Sequence, residues 1–348
     1  MRVLFDLYHP AHVHLYKNAI REMEREGHET LIASRKKDLT VELLDAYGFN
    51  HEILSTKKSG GIGTFSEVTK RFIKLYLIAN EFEPDVITGR PNPVTSAIGR
   101  LTGATTILLK DSDYRTIHSK LTYRMADLLY IPENLEIDVG AMEHRVNGFQ
   151  ELAYLHPKWF EPNPRLLKEY GISPFDDYVV VRFIGKDAYH DDSQKGFSRS
   201  GRQQLISTLS EHGDVYITSE KPLEPEFTPF QLPIPPHLIH HLLSFANLFV
   251  GDSGTMATEA AILGTPAVRV RTNSFTVEKE LSNFRILEEE YGLLHSFENQ
   301  FAAIDQVNTL LQQSNLASDW GLRRDKMLAD KVDVTEDMVS LFLNEGQK

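Results

Sequence analysis

The stretch of this chain richest in chemistry is Val250-Gly251-Asp252-Ser253-Gly254-Thr255-Met256-Ala257-Thr258-Glu259. An apolar run ends there, a Gly/Asp/Ser/Gly turn follows, and a helix begins. The first turn of a helix leaves backbone N–H groups unpaired and carries a partial positive charge. Gly254 has no side chain, so an anion could approach that backbone closely. The hydroxyls of Ser253 and Thr255 add donors. Thr255 and Glu259 are four apart and share a helix face, so a diphosphate at the helix end would place a sugar hydroxyl near Glu259. The helix dipole supplies only about 0.3–1 kcal/mol per charge, so tight binding needs the hydroxyls and a further cation. The competing reading is a plain helix: Asp252 or Ser253 caps it, Ala257, Ala260, Ala261 and Leu263 pack, and Gly264 with Pro266 ends it.

A second group of candidates sits near the N-terminus. Tyr8-His9-Pro10-Ala11-His12-Val13-His14 joins an apolar strand to a helix, at the carboxyl end where open α/β sheets place ligands. The loop is not Gly-x-Gly-x-x-Gly, so no dinucleotide cofactor is expected. His12 and His14 are two apart and point in different directions on a helix, so no metal site is expected either. His12 titrates near neutrality and could take a proton from an acceptor hydroxyl; bonding to backbone at the helix start is the alternative. After the next strands come Gly89-Arg90-Pro91, where Arg90 reaches a phosphate or pairs with an acid, and Lys110-Asp111-Ser112-Asp113-Tyr114. Asp111 is the second catalytic candidate, as base or acceptor-positioning group; a loop whose carboxylates cap the next helix is its alternative.

The elements that must position these residues follow from the apolar pattern. Arg2 to Leu7 reads as a strand, the segment with Leu15, Ala19, Ile20 and Met23 as a helix ended by Gly27, and Thr30 to Ala33 as the next strand. Alternation continues through helices over Leu39–Tyr47, Phe65–Phe82 and Val94–Leu101 and strands over Asp85–Thr88, Thr105–Leu109 and Leu128–Ile131. It breaks at Pro157, Pro162 and Pro164, then restarts with strands at Tyr178–Ile184, Val215–Thr218, Leu248–Val250 and Ala267–Val270, helices over Gln203–Leu209 and Thr255–Leu263, and a helical tail from Phe301. Two βαβ series imply two doubly wound domains. The expected division is an acceptor-side domain at 1–155 and a ligand-binding domain at 156–348, whose last helix has the option of crossing back. The chain has 348 residues, 41% hydrophobic, and a formal net charge of -12, which argues against nucleic acid as a partner. With no cysteine it holds no disulfide, thiolate metal site or cysteine nucleophile. No apolar run reaches membrane-span length and the start is too short and acidic for a signal peptide, so the expected compartment is the cytoplasm.

The run Asp252-Ser253-Gly254 through Glu259, then Ala260-Ala261-Ile262-Leu263-Gly264-Thr265-Pro266, resembles the nucleotide-sugar motif of UDP-N-acetylglucosamine 2-epimerases and of the peptidoglycan N-acetylglucosaminyltransferase. With Asp6 to His14, Gly27-His28-Glu29, Asp111-Ser112-Asp113, Gly148 through Leu152 to Pro157, and Gly251 to Pro266, the chain resembles an uncharacterised prokaryotic GT-B-like family of unknown function. The resemblance implies an α/β, GT-B-type fold, two Rossmann-like domains facing a central cleft. It implies that Ser253, Gly254 and Thr255 meet the diphosphate and Glu259 the ribose. It also brings the loop Gly185-Lys186-Asp187 to the diphosphate, where Lys186 would be the cation, with Arg182 as the alternative and an exposed loop lysine as the plain reading. His12-Val13 resembles the histidine position of the peptidoglycan enzyme, although Pro10-Ala11 replaces its paired glycines. Asp111-x-Asp113 resembles a divalent-metal motif of a different transferase fold, whereas this one usually works without such a metal.

The implied activity is glycosyl transfer from a nucleotide-diphosphate sugar, with UDP the expected nucleotide, to an unknown acceptor, a glycan or a lipid-linked one. A UDP-N-acetylglucosamine 2-epimerase-like enzyme and a non-catalytic nucleotide-sugar-binding protein are the alternatives; Gly89-Arg90-Pro91 and Lys110-Asp111 depart from the epimerase pattern. Lys57, Lys58, Lys70, Arg71 and Lys74 lie beside a helix carrying Phe65, Val68, Phe72, Ile73 and Leu75. Peripheral membrane contact there is one reading; a core helix with a solvated basic face is the preferred one.

Overall fold

The computed structural model describes every residue except 58–59, 112–118, 137–141, 174, 185–195, 220–221, 272–281 and 348, and the side chains of 61–62 and 119–120. Its elements, in chain order, begin β1 (Arg2–Leu7), α1 (Pro10–Arg25), β2 (Glu29–Lys36), α2 (Thr40–Ala46), β3 (Glu52–Thr56), α3 (Gly61–Phe82) and β4 (Val86–Gly89). There follow α4 (Pro93–Thr102), β5 (Thr105–Leu109), α5 (Ser119–Met125), β6 (Leu128–Pro132), β7 (Glu143–Val146) and α6 (Leu152–Leu155). The second series is α7 (Arg165–Lys168), β8 (Tyr178–Phe183), α8 (Arg199–Leu209), β9 (Asp214–Ser219), α9 (Ile239–Phe245), β10 (Leu248–Gly251), α10 (Gly254–Leu263) and β11 (Ala267–Val270). It ends with α11 (Ser282–Glu289), β12 (Leu294–Phe297), α12 (Gln300–Leu311), α13 (Leu316–Asp330) and α14 (Val334–Glu345).

The strands form two sheets, ordered β3-β2-β1-β4-β5-β6-β7 and β12-β11-β10-β8-β9. All pairings within both sheets are parallel. This is the α/β class of two doubly wound sheets that the alternation predicts. Parallel strands covered by helices on both faces read as continuous apolar runs. Val3, Leu4, Phe5 and Leu7 of β1 are accordingly fully buried, as are Val180, Val181, Phe249 and Val250 in the second sheet.

The chain separates into two compact units, Met1–Trp159 with Lys331–Lys348, and Phe160–Asp330. The sequence puts the joint after 155 and leaves the return of the last helix open. The physical cause of the observed division is a set of bonds from the start of α14 to the first unit. The Thr335 hydroxyl donates to the Ala153 carbonyl at 2.7 Å, the Val332 amide to that of Asn147 at 3.0 Å, and the Trp159 indole to Asp333 at 2.7 Å. Val334 and Phe342 are then fully buried.

Helix α3 differs from the preferred reading of it as a core helix. Leu75 and Ala79 are buried against Leu4, Ile87 and Ile98, with Phe72 partly so. Phe65, Ile73 and Leu77 are instead 76%, 52% and 59% exposed. The apolar stripe is wider than the strip of sheet that α3 covers. Among the described residues no helix is long and apolar enough to cross a membrane.

Helix α4 lies so close to the sheet that a methyl group on Gly99 would sit 2.9 Å from Cγ2 of Ile87 and collide with the Thr106 hydroxyl. Gly321, in α13, has open space around it. Gly99→Ala should therefore destabilise the first unit by about 1–3 kcal/mol through overpacking. Gly321→Ala should be neutral or stabilise by up to about 1 kcal/mol, because alanine is the better helix former. Urea denaturation of the two variants checks this; equal midpoints would contradict the packing described.

Candidate functional site

In the second unit, the turn after β10 is held by one backbone bond and one side-chain bond to backbone. The amide of Asp252 donates to the Arg182 carbonyl at 3.1 Å, and Oδ1 of Asp252 accepts from the Ile184 amide at 2.6 Å. Asp252 thus ties the carboxyl ends of β8 and β10 together. The cap of α10 is Ser253, whose hydroxyl accepts from the Met256 amide at 3.4 Å, and Gly264 in left-handed conformation ends the helix. The helix-cap reading therefore holds in full, with Ser253 rather than Asp252 in the capping role. It is compatible with anion binding, because one cap satisfies only one of the orphan donors.

Gly254 is required by close packing. A methyl group there would lie 2.7 Å from Cζ of Phe284 and 3.6 Å from Nη1 of Arg269. The Arg269 guanidinium stacks on the Phe284 ring, 3.6 Å from its centroid, and its Nε donates to the Ser296 hydroxyl at 3.0 Å. A cation, 8% exposed, therefore stands beside the start of α10. Sequence reasoning missed Arg269. Its only local signal is a charge inside the apolar strand Ala267–Val270, and its partners come from β12 and α11. Lys186, the expected cation, lies outside the described residues, and Arg182 donates to the Thr218 hydroxyl at 2.9 Å.

Thr255 is exposed, whereas Glu259, one turn further along the same face, is buried. Its Oε1 is 3.1 Å from Nε2 of His240 on α9, a partner that the sequence did not suggest. Phe160 packs edge-on against His240.

The first unit gathers a second group at the carboxyl ends of β1, β4 and β5. Asp6, fully buried, is paired with Arg71 of α3 and accepts from the Thr95 hydroxyl of α4. The Tyr8 ring lies 5.2 Å from the Arg71 guanidinium and edge-on to His12 at 4.5 Å. Arg90 pairs with Asp111 and donates to the Gln150 side chain, so of its two readings the acid partner is the one observed. Burial opposes the Arg90 charge, but Asp111 outweighs it and raises its pKa. Asp111 keeps a 45% exposed side chain; Asp113 lies outside the described residues. The structure thus brings His12, Arg90 and Asp111 into one electrostatic neighbourhood. Among the described residues no cluster of three or more His, Asp or Glu could hold a metal ion.

His12 is 7% exposed, and its pKa is lowered well below 6.5 by burial and then by the Arg90 charge. Its Nδ1 accepts from the Tyr8 amide at 3.4 Å. A neutral imidazole in that arrangement carries its proton on Nε2 and offers a donor there. The geometry therefore runs against the expectation that His12 takes a proton: to do so through Nε2 it would have to give up the Tyr8 contact. His14 contacts the hydroxyl of Tyr47 at 3.1 Å.

Residues 1–343 match the family described as "Protein of unknown function (DUF354)". The chain belongs to that family. An uncharacterized protein of Methanocaldococcus jannaschii is 23% identical over 282 residues, 76% of this chain and 80% of that one. Among solved structures, the chain is similar to the UDP-GlcNAc 2-epimerase of Neisseria meningitidis bound to UDP-GlcNAc. That match has a TM-score of 0.69 and 12% identity, and covers 99% of this chain and 100% of that one. It is also similar to spinosyn forosaminyltransferase SpnP, with TM-score 0.64 and 12% identity over the whole of both chains. At identities this low the likeness shows the fold alone, which is of GT-B type.

The burial of His12 has a measurable consequence. Its folded pKa lies below the 6.5 of the free side chain, so between the two the unfolded chain binds the proton that the folded chain excludes. Stability should fall as pH drops below about 6.5 toward the folded pKa. His12→Gln should show a shallower loss in urea denaturation over that window. Parallel pH profiles for the two proteins would contradict a neutral buried imidazole.

Proposed function

We propose that the chain is a glycosyltransferase whose donor is a nucleotide-diphosphate sugar, most simply a UDP-sugar, bound at the start of α10. The observation that carries this reading is the Arg269 guanidinium beside Gly254 at the capped N-terminus of a helix that follows a parallel strand. Backbone donors, the helix dipole and a fixed cation act together on a diphosphate. The same groups stabilise the charge that grows on the leaving diphosphate as the glycosidic bond breaks. Ser253 and Thr255 add hydroxyl donors, and Glu259, oriented by His240, accepts from the ribose hydroxyls. On the acceptor side Asp111, held by Arg90, takes the proton of the attacking hydroxyl, and His12 donates through Nε2.

The fold is shared with proteins named as UDP-GlcNAc 2-epimerases as well as with transferases. Gly89-Arg90-Pro91 and Lys110-Asp111 depart from the epimerase pattern that the sequence resembles, which favours transfer over epimerisation. Incubation with UDP-N-acetylglucosamine separates the two: release of UDP, increased by added acceptor, supports transfer, whereas a 2-epimer seen by proton NMR without UDP release overturns it. Tight binding with neither product would make the chain a nucleotide-sugar-binding protein.

Binding can be divided between the two ends of the nucleotide by calorimetry. A hydrogen bond to a charged group contributes about 1.5–3 kcal/mol, so Glu259→Gln should weaken both uridine and UDP by roughly tenfold or more. Arg269→Lys loses the planar fork and the stacked geometry, and should weaken UDP but not uridine. Loss of uridine binding on Arg269→Lys, or unchanged affinities on Glu259→Gln, would contradict these assignments.

A further inference from the structure

The first unit contains a cavity of about 370 Å³, walled by Tyr8, Val68, Arg71, Asn92, Pro93 and Val94, with the Arg35–Glu67 pair beside them. It lies at the carboxyl ends of β1, β2 and β4. Chain order reverses at β1, with β2 on one side and β4 on the other, and doubly wound sheets place ligands at such a reversal. We propose that this cavity binds an uncharged sugar ring. Its role as acceptor subsite rests on the transferase reading above; the binding itself does not.

Three observations define the ligand. The first is an unmet donor. Arg71 is 7% exposed, its Nη2 donates to Asp6, and its Nε is buried with no hydrogen-bond partner among the described residues. A desolvated guanidinium N–H without an acceptor is costly, and a sugar hydroxyl that the cavity wall shifts to admit would satisfy it. The second is charge balance. Arg71 is neutralised by Asp6. Arg35 is neutralised by Glu67 through two bonds of 2.6 and 2.9 Å, and Glu67 also accepts from the Ser55 hydroxyl at 3.0 Å. Each guanidinium on the wall already has its carboxylate, so no net positive charge remains for a phosphate or a carboxylate. The third is the rest of the wall. Val68, Pro93 and Val94 offer apolar surface of the kind that meets the C–H face of a pyranose. The phenol of Tyr8, pushed up to about 12 by burial and by Asp6, stays protonated as a neutral hydrogen-bonding group. The volume is near the small end of ligand sites, suited to one or two sugar rings rather than a polymer.

The test uses the full chain and saturation-transfer NMR. The probes are the methyl glycosides of glucose, galactose, mannose and N-acetylglucosamine, set against glucuronate and glucose 6-phosphate. At least one uncharged glycoside should give a saturable signal and the charged sugars none. Replacing Arg71 would strand the buried Asp6 charge, so the cavity is filled instead: Val68→Trp, at a half-exposed position, leaves both ion pairs in place. This variant should lose the glycoside signal by about tenfold or more while keeping the wild-type melting temperature. Equal or stronger binding of the charged sugars, retention of the glycoside by Val68→Trp, or no glycoside signal in the wild type would each overturn the proposal. UDP binding is measured alongside in both proteins. Its absence with glycoside binding intact would count against the transferase reading and not against the cavity.

Discussion

Parallel pairing puts the carboxyl end of every strand, and the start of the helix that follows it, along one edge of the sheet. In this protein each sheet meets that constraint at the place where strand order reverses, and in each case an aspartate resolves it. In the second sheet Asp252 reaches from the end of β10 to the Ile184 amide after β8, filling the gap that the reversal leaves between neighbouring chain ends. In the first sheet Asp6, at the end of β1, is fully buried and is met by Arg71 from α3 and Thr95 from α4. The helices packed above β1 are thereby pinned through one carboxylate. Losing one partner of such a pair strands a buried charge, at a cost of about 3–5 kcal/mol. The ion pair is thus an organising contact even where its net contribution to stability is small.

The two ends of this scheme carry different chemistry. The turn at Ser253 is made of backbone, with the Arg269 cation stacked beside it on Phe284. Backbone donors recognise an anion by charge and shape and cost little to organise, since the helix holds them in place. The group in the first unit is made of side chains: Tyr8, His12, Arg71, Arg90 and Asp111. Each is held by another, His12 by the Tyr8 amide and Asp111 by Arg90, so their positions are set before any ligand arrives.

Much of the fold was legible in the sequence, for a physical reason. Strands β1, β8, β10 and β11 are buried on both faces and announce themselves as apolar runs. Helix α10 carries its stop signal in Gly264 and its start at Ser253. Strands β3, β7 and β12 were not read, because edge strands keep polar residues: β7 is Glu143-His144-Arg145-Val146. In the candidate site the local structure was legible, as in the capped helix start from Ser253 to Glu259. It was hidden where it depends on tertiary contact. Arg269 gains its meaning from Phe284 and Ser296, and Glu259 gains His240 as its neighbour. The wide stripe of α3 misled, because periodicity shows that a helix has an apolar face and not how much of that face finds cover.

The donor reading requires that the start of α10 hold a nucleoside diphosphate. A thermal-shift titration with UDP, ADP, GDP, CMP and dTDP tests it most directly. A ligand at a hundred times its dissociation constant stabilises the folded chain by about 2.7 kcal/mol, a readily visible rise in melting temperature. A saturable rise with UDP that exceeds the rise with the other nucleotides is expected. No rise with any of them would reduce the Ser253 turn to a helix cap and overturn the donor reading.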